Sequence, residues 1–285
     1  MGKSTLINFM VGQKISIVSD RAQTTRNKIM GVVSRPDHQF IFIDTPGVTT
    51  PKNRLGEYML KVAYDALNEV EAVLLVIDAE KGVAEKDEML LSALRERIGS
   101  TPVVAAINKI DLVSLGTIDE ITERLREESY IKEIVPISAL TGRHLDKLEK
   151  TLYNYLTEGP QYFPDDMVTD RPMWDICSEM IRENALKFLK DEIPHGIGIG
   201  IDKIQLRPSG DIHDIYATIY CERESHKGII IGRGGKMLKR IGAASRHDIE
   251  WLFGTQVNLQ LWVKVRPDWR NSASALKEFG FDPNF

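Results

Sequence analysis

The period of the hydrophobic positions changes part-way along the chain. Within residues 1–157, short apolar runs rich in β-branched residues stand at 40–43, 72–77, 103–107 and 133–137, each bounded by polar turns. Such runs read as strands buried on both faces. Amphipathic helical patterns separate them, over 54–70, 85–98, 118–128 and 144–156, and a short helix is predicted over 4–10. Alternation of this kind predicts βαβ units and a parallel sheet covered on both sides. Residues 158–172 contain Gly159, Pro160, Pro164 and Pro172 among scattered acids, with no sustained period, and read as a linker. From 173 onward the pattern is different. A helix is predicted over 173–189, with Ile176, Met180, Ile181 and Leu186 on one stripe. Alternating strands follow at 197–206 and 212–221 around Pro208-Ser209-Gly210-Asp211, then a helix over 236–253 and a strand over 257–265. The expectation is an α/β domain at 1–157, a linker at 158–172 and an α+β domain at 173–285, ordered helix, strand, strand, helix, strand.

Composition adds bounds. A chain of 285 residues is long for one core, so two domains are expected. Hydrophobic residues at 42% and charged residues at 27% are ordinary for a soluble globular protein. No run of about 18 apolar residues offers a membrane span, and no signal peptide is read at the start. Cys177 and Cys221 have neither disulfide-framework nor metal spacing and read as reduced core residues. The net charge of −4 is unevenly placed. Residues 1–170 hold 20 Lys and Arg against 26 Asp and Glu, and residues 171–285 hold 17 against 15. Within the latter, residues 225–246 carry six Lys and Arg and no acid. That stretch is a candidate polyanion contact, against the plainer reading of a solvated helix face.

Four short segments in the first half read as one nucleotide site. Gly2-Lys3-Ser4-Thr5 is the closing end of a phosphate-binding loop, Gly-x-x-x-x-Gly-Lys-[Ser/Thr]. Lys3 would reach the outer phosphates, Ser4 would ligate Mg²⁺, and Gly2 would let the backbone approach. Asp44-Thr45-Pro46-Gly47 follows the run at 40–43. Its carboxylate would hold Mg²⁺ through a water, and the Gly47 amide would sense a γ-phosphate. Asn108-Lys109-Ile110-Asp111 follows the run at 103–107. Asp111 can accept from both guanine N1–H and the 2-amino group, a donor pair adenine lacks. Asn108 would bind the base edge or brace the loops, and the Lys109 stem would cover the base face. Ser138-Ala139 follows the run at 133–137 and would place a backbone amide on guanine O6. Gln23-Thr24-Thr25-Arg26 supplies a switch threonine, Thr25 rather than Thr24, as a further Mg²⁺ ligand. Val48 stands where a water-orienting glutamine would be; its aliphatic side chain forms no hydrogen bond, which predicts slow hydrolysis unless backbone, ion or partner places the water.

The basic stretch in the second half contains Gly232-Arg233-Gly234-Gly235-Lys236 between the run Ile229-Ile230-Ile231 and a helical pattern. A Gly-x-x-Gly loop before a helix lets a nucleic-acid backbone pass close to amides that face phosphate, the clamp used by KH domains. Arg233, Lys236, Lys239 and Arg240 add positive charge on that side.

Taken together, the motifs resemble the Era family of bacterial GTPases across essentially the whole chain. The stretches that carry the resemblance are Gly2–Thr5, Gly12-Gln13-Lys14-Ile15-Ser16, Ala22-Gln23-Thr24-Thr25-Arg26, Asp44–Val48, Asn108–Asp111 and Pro136-Ile137-Ser138-Ala139. Further on they are Ile181-Arg182-Glu183, the Gly-x-x-Gly loop and Leu261-Trp262-Val263-Lys264-Val265. The resemblance implies a P-loop GTPase domain followed by a type II KH domain. It implies GTP hydrolysis with Mg²⁺, coupled to binding the 3′ end of small-subunit ribosomal RNA during assembly of the small ribosomal subunit. A monomeric cytoplasmic protein with peripheral contact at the inner membrane is expected on the same basis. An aliphatic residue at the Val48 position is normal for the family. Family members carry a first strand and Gly-x-Pro-Asn-Val ahead of Gly-Lys-Ser; here Met1 stands in place of that Val. The family asparagine linked to potassium use has no counterpart, so no potassium dependence is assigned. A start read inside a longer frame and a truncation within the P-loop both account for this. Two function classes follow, a GTPase switch and a nucleotide-defective RNA-binding protein.

Overall fold

The computed structural model describes residues 1–18 and 24–281, so Ala22 and Gln23 of the switch motif lie outside the described residues. By internal contact the chain divides into two units. The first holds 1–16, 25–49 and 60–170; the second holds 171–281, Thr50–Met59 and the described part of 17–24.

In the first unit, α1 (Lys3–Val11) precedes an antiparallel hairpin of β1 (Ile29–Ser34) and β2 (Gln39–Asp44). The hairpin closes through the Arg35 N–H donated to the His38 carbonyl at 2.9 Å. Helix α2 (Arg54–Asp65) follows, with Leu55 and Met59 in the second unit and Val62 and Ala63 in the first. Then come β3 (Val73–Asp78), α3 (Glu85–Arg97), β4 (Val103–Asn108), α4 (Leu115–Arg126), β5 (Ile131–Pro136) and α5 (Leu145–Tyr153).

β3, β4 and β5 form a parallel sheet in that order. Every residue from Val103 to Ile107 is buried because both faces are covered. Val104 and Ala106 pack toward α1 and α5, while Val103, Ala105 and Ile107 pack toward α3 and α4. Alternation across a pleat sends the two sets to opposite sides. The helices start where the chain supplies acceptors for their first amides. Ser114 Oγ accepts from the Thr117 N–H ahead of α4, and Asp87 accepts from the Ala84 N–H at the start of α3.

Two sequence expectations change here. The run at 40–43 joins a hairpin rather than the parallel sheet, and its partner β1 was not anticipated. Between β2 and β3, which belong to separate sheets, lies a cavity of about 790 Å³ lined in part by Leu6, Phe40, Phe42, Leu74 and Tyr155. Residues 158–170 group with the first unit. Val32 N–H donates to the Val168 carbonyl at 2.9 Å, and Thr169 Oγ1 donates to the Met30 carbonyl at 2.7 Å.

The second unit runs α6 (Met173–Phe188), β6 (Gly198–Leu206), β7 (Ile212–Cys221), α7 (Glu224–Ile231), α8 (Lys236–Phe253), β8 (Gln256–Val265) and α9 (Ala273–Glu278). β7 is central, antiparallel to β6 and parallel to β8. Ile215, Ala217 and Ile219 face a core that includes Ile181, Ile230, Ile241 and Ile249 from the helices. The expected order therefore gains two helices, α7 and α9; Ile229–Ile231 ends α7 with Ile230 buried and Ile229 half exposed. A smaller core joins Leu55 and Met59 to Trp269, Leu276 and Phe281. Cys177 and Cys221 are buried and free, and burial pushes the Cys177 thiol up to about 12. No helix among the described residues is long and apolar enough to cross a membrane.

Candidate functional site

The phosphate-loop fragment, the switch threonine and the Asp44 motif bring their polar groups to one point. Gly2 precedes α1 with φ 85°, and a Cβ there would lie 2.5 Å from Asn108 Nδ2, so a side chain would displace Asn108. Ser4 Oγ donates to Asp44 Oδ2 at 3.1 Å, and Thr25 Oγ1 donates to the same oxygen at 3.3 Å. The two hydroxyls lie 3.3 Å apart. Ser4, Thr25 and Asp44 are the three Mg²⁺ ligands expected from the sequence, drawn from α1, the switch segment and the end of β2. Asp44 is 1% exposed, and its Oδ1 has no hydrogen-bond partner among the described residues.

Electrostatics at this point are those of a pair lifted out of water. Burial pushes the Asp44 carboxyl above its ordinary value, against the pull of Lys3 and the hydroxyl of Ser4. Burial lowers the Lys3 ammonium, against the pull of Asp44. A Cβ placed on Gly47 would be 3.9 Å from Lys3 Nζ, so the ammonium stands beside the Gly47 backbone. Thr5 lies in the first turn of α1, and Thr45, Pro46 and Val48 lie in the irregular segment after β2. Two hydroxyls, a carboxylate with an unpaired buried oxygen and a neighbouring ammonium form a hard-oxygen set suited to Mg²⁺ beside a phosphate.

The base-recognition segments sit on β4 and β5. Asn108 ends β4 and is 2% exposed. Its Oδ1 accepts from the Ala139 N–H at 2.8 Å and its Nδ2 donates to the Met1 carbonyl at 2.8 Å. Of its two anticipated roles, this geometry displays the brace between loops. The Ser138 N–H donates to the Arg143 carbonyl. The amides of Ser138 and Ala139 thus have acceptors within the chain. Lys109 takes φ 69°, and its ammonium reaches Asp78 Oδ2 at 2.8 Å and Glu80 Oε2 at 3.2 Å. Asp111 is exposed within the single turn Ile110–Leu112, while Ile110 is buried and donates to the Ile137 carbonyl.

Asp78 and Glu80 were not singled out in the sequence. Asp78 closes β3 and is 2% exposed. Burial opposes its ionisation, but the bond from Lys109 helps hold its carboxyl below the ordinary value. The available signal was positional: Asp78 ends its apolar run as Asp44 ends the run at 40–43.

The Gly-x-x-Gly segment in the second unit is open. Gly232, Gly234 and Gly235 all have positive φ, at 72°, 59° and 75°. A Cβ on Gly232 would lie 2.7 Å from Met237 Cβ, whereas one on Gly234 or Gly235 meets nothing within 4 Å. The first glycine closes the turn from α7 to α8, and the next two leave space above the backbone. Arg233, Lys236 and Lys239 are exposed, and none has a carboxylate partner among the described residues. Arg240 lays its guanidinium over the Phe188 ring, 4.2 Å from the centroid.

Comparison with known proteins follows the same division. The family pattern of 50S ribosome-binding GTPases matches residues 1–109, and that of KH domains matches residues 192–270. The chain is 48% identical to GTPase Era of Alkaliphilus metalliredigens over 282 residues, covering 99% of this chain and 95% of that protein. It is 48% identical to GTPase Era of Clostridioides difficile over 285 residues, with the same coverage. The chain belongs to the Era family of GTPases. Among solved structures, Era in complex with MgGDPNP and nucleotides 1506–1542 of 16S ribosomal RNA superposes with a TM-score of 0.93 at 39% identity. The match covers 99% of this chain and 95% of that one. Aquifex aeolicus Era Y63A bound to GDP·AlF4⁻ gives 0.91 at 40% identity, with the same coverage. Era membership fixes the fold as a GTPase domain followed by a KH domain.

Proposed function

We propose that this Era-family GTPase binds and hydrolyses GTP with Mg²⁺ and binds the 3′ end of small-subunit ribosomal RNA as a ribosome assembly factor. The observation that carries the reading is the convergence of Ser4, Thr25 and Asp44 within 3.3 Å of one another beside Lys3. Residues 1–157 act as the GTPase domain, 158–172 as the connection and 173–285 as the RNA-binding domain. In the first, Lys3 holds the outer phosphates as a point charge, and Gly2 and Thr5 present backbone to them. Ser4, Thr25 and Asp44 hold the metal, which neutralises charge on the phosphates when bound. Gly47 offers its amide toward the γ-phosphate, with Thr45, Pro46 and Val48 fixing that segment. Asp111 pairs with the guanine edge, the Lys109 stem covers the ring, and Asn108 and Ile110 tie this loop to Ser138-Ala139.

In the second, Gly232, Gly234 and Gly235 let a phosphate backbone approach, while Arg233, Lys236, Lys239 and Arg240 attract it. MgGDPNP and 16S RNA in the solved Era complex support both assignments. The protein works as a cytoplasmic monomer on the small subunit, with peripheral contact at the inner membrane. The intact polar convergence favours this reading over RNA binding alone. Single-turnover phosphate release from GTP, with Mg²⁺ and with a chelator, tests it. Release that needs Mg²⁺ and is lost in Lys3→Ala supports the reading; metal-independent release equal in both proteins contradicts it.

A further inference from the structure

The second unit has a second face that the Gly-x-x-Gly clamp does not use. Ile215, Ala217, Leu261 and Val263 turn inward to the helices, so Tyr216 and Trp262 stand on the opposite side of the sheet. Their rings stack, 6.1 Å between centroids and 12° between planes. Trp262 remains 44% exposed. At the far end of this face Phe279, just beyond α9, packs on Tyr220; among the described residues Trp262 has no such cover.

The surrounding charge is favourable to a polyanion. Lys203 is the cross-strand neighbour of Tyr216, and Lys264 lies two residues beyond Trp262 on the same face. Both are exposed, and neither has an ion-pair partner among the described residues. Of the acids there, Asp214 is engaged by Arg207 through two bonds of 2.7 Å and by Asn258 at 2.7 Å. Asp202 accepts from the Thr218 hydroxyl at 3.0 Å. β8 is an edge strand, and α7 and α8, which flank the Gly-x-x-Gly loop, both pack against it.

We propose that the outer sheet face around Tyr216 and Trp262 is a second RNA contact, where unpaired bases stack on the aromatic pair while Lys203 and Lys264 hold the flanking phosphates. The helices flanking the clamp pack against the same edge strand, β8, that carries Trp262. Aromatic platforms between lysines bind single strands with little sequence preference, because every base has a π-face. The inference rests on the reading that this unit binds RNA.

The test is fluorescence anisotropy of the full chain with a 5′-labelled single-stranded rA20, alongside thermal melting. Trp262→Ala should weaken binding about tenfold, and Trp262→Phe, which keeps a stacking ring, should stay within about threefold of wild type. Lys203→Glu with Lys264→Glu leaves the core untouched. It should weaken binding and lower the salt slope by roughly one to two. If Trp262→Ala lowers the melting temperature, this charge pair decides. Wild-type affinity in Trp262→Ala and in the lysine pair, with binding lost in Arg233→Asp/Gly234→Asp, would overturn the second contact and leave the clamp standing. Wild-type affinity in all of them would remove the RNA reading too. If sedimentation instead showed a concentration-dependent dimer abolished by Trp262→Ala, with RNA affinity unchanged, a second copy would cover the face and the proposal would fail.

Discussion

The two sites are built on opposite plans. The nucleotide site gathers Ser4, Thr25 and Asp44 from across the sequence, and Asp44 and Asn108 are 1% and 2% exposed. The Gly-x-x-Gly site is a contiguous segment with exposed cations that have no carboxylate partner among the described residues. A buried polar cluster fails as a unit, because removing one partner leaves the others unsatisfied in a low dielectric. A solvated basic surface loses affinity by small, salt-dependent steps. The difference therefore predicts all-or-none responses in the first site and graded ones in the second.

The largest effect is expected at Asp44. Asp44→Asn should weaken Mg²⁺-dependent GTP binding by about 100-fold, as measured by calorimetry, since a charged partner is lost from a desolvated cluster. A tight-binding Asp44→Asn protein would break the contrast at its strongest point.

Next is the clamp. Arg233→Asp with Gly234→Asp should cut affinity for a single-stranded rRNA 3′-end oligomer by about tenfold or more in mobility shifts, by setting two carboxylates against phosphate. The glycines themselves sharpen the comparison. Gly232→Ala combines positive φ with a contact of 2.7 Å to Met237 Cβ and should cost about 1–3 kcal/mol of stability in urea melts. Gly235→Ala meets no clash and sits at φ 75°, ψ 7°, the left-handed helical region, rather than the φ 72°, ψ 169° of Gly232, and should cost about 1–2 kcal/mol. Equal costs would mean that Gly232 has no special packing role. The smallest effect is Lys239→Ala, which should reduce the log–log salt slope by up to about one with a uniform loss across RNA sequences.

What was legible in the sequence follows from the same contrast. Runs buried on both faces, such as Val103 to Ile107, announce themselves because no solvent face dilutes the pattern. Motifs at strand ends could be placed because short segments carry the chemistry. β1 was missed although Ile29 to Val33 is apolar apart from Gly31, whose would-be Cβ meets Ile15 at 2.8 Å, Val11 at 3.1 Å and Ile7 at 3.2 Å, contacts no local pattern reveals. α7 was missed because Ser225-His226-Lys227-Gly228 reads as loop, and the three isoleucines after it give no helical stripe. The bonds from Lys109 to Asp78 and from Asn108 to Ala139 join residues 31 apart in each case, beyond any local pattern. They tie the end of β4 and the segment after it to β3 and to the segment after β5.

The most direct test of the central claim is a nucleotide competition on wild type and Asp111→Asn, with fluorescent GTP displaced by GTP, ATP or xanthosine triphosphate. If Asp111 reads guanine, wild type is displaced by GTP and not by ATP, and the variant exchanges its preference toward xanthosine triphosphate. Equal displacement of the wild type by ATP, or an unchanged preference in Asp111→Asn, would contradict the account.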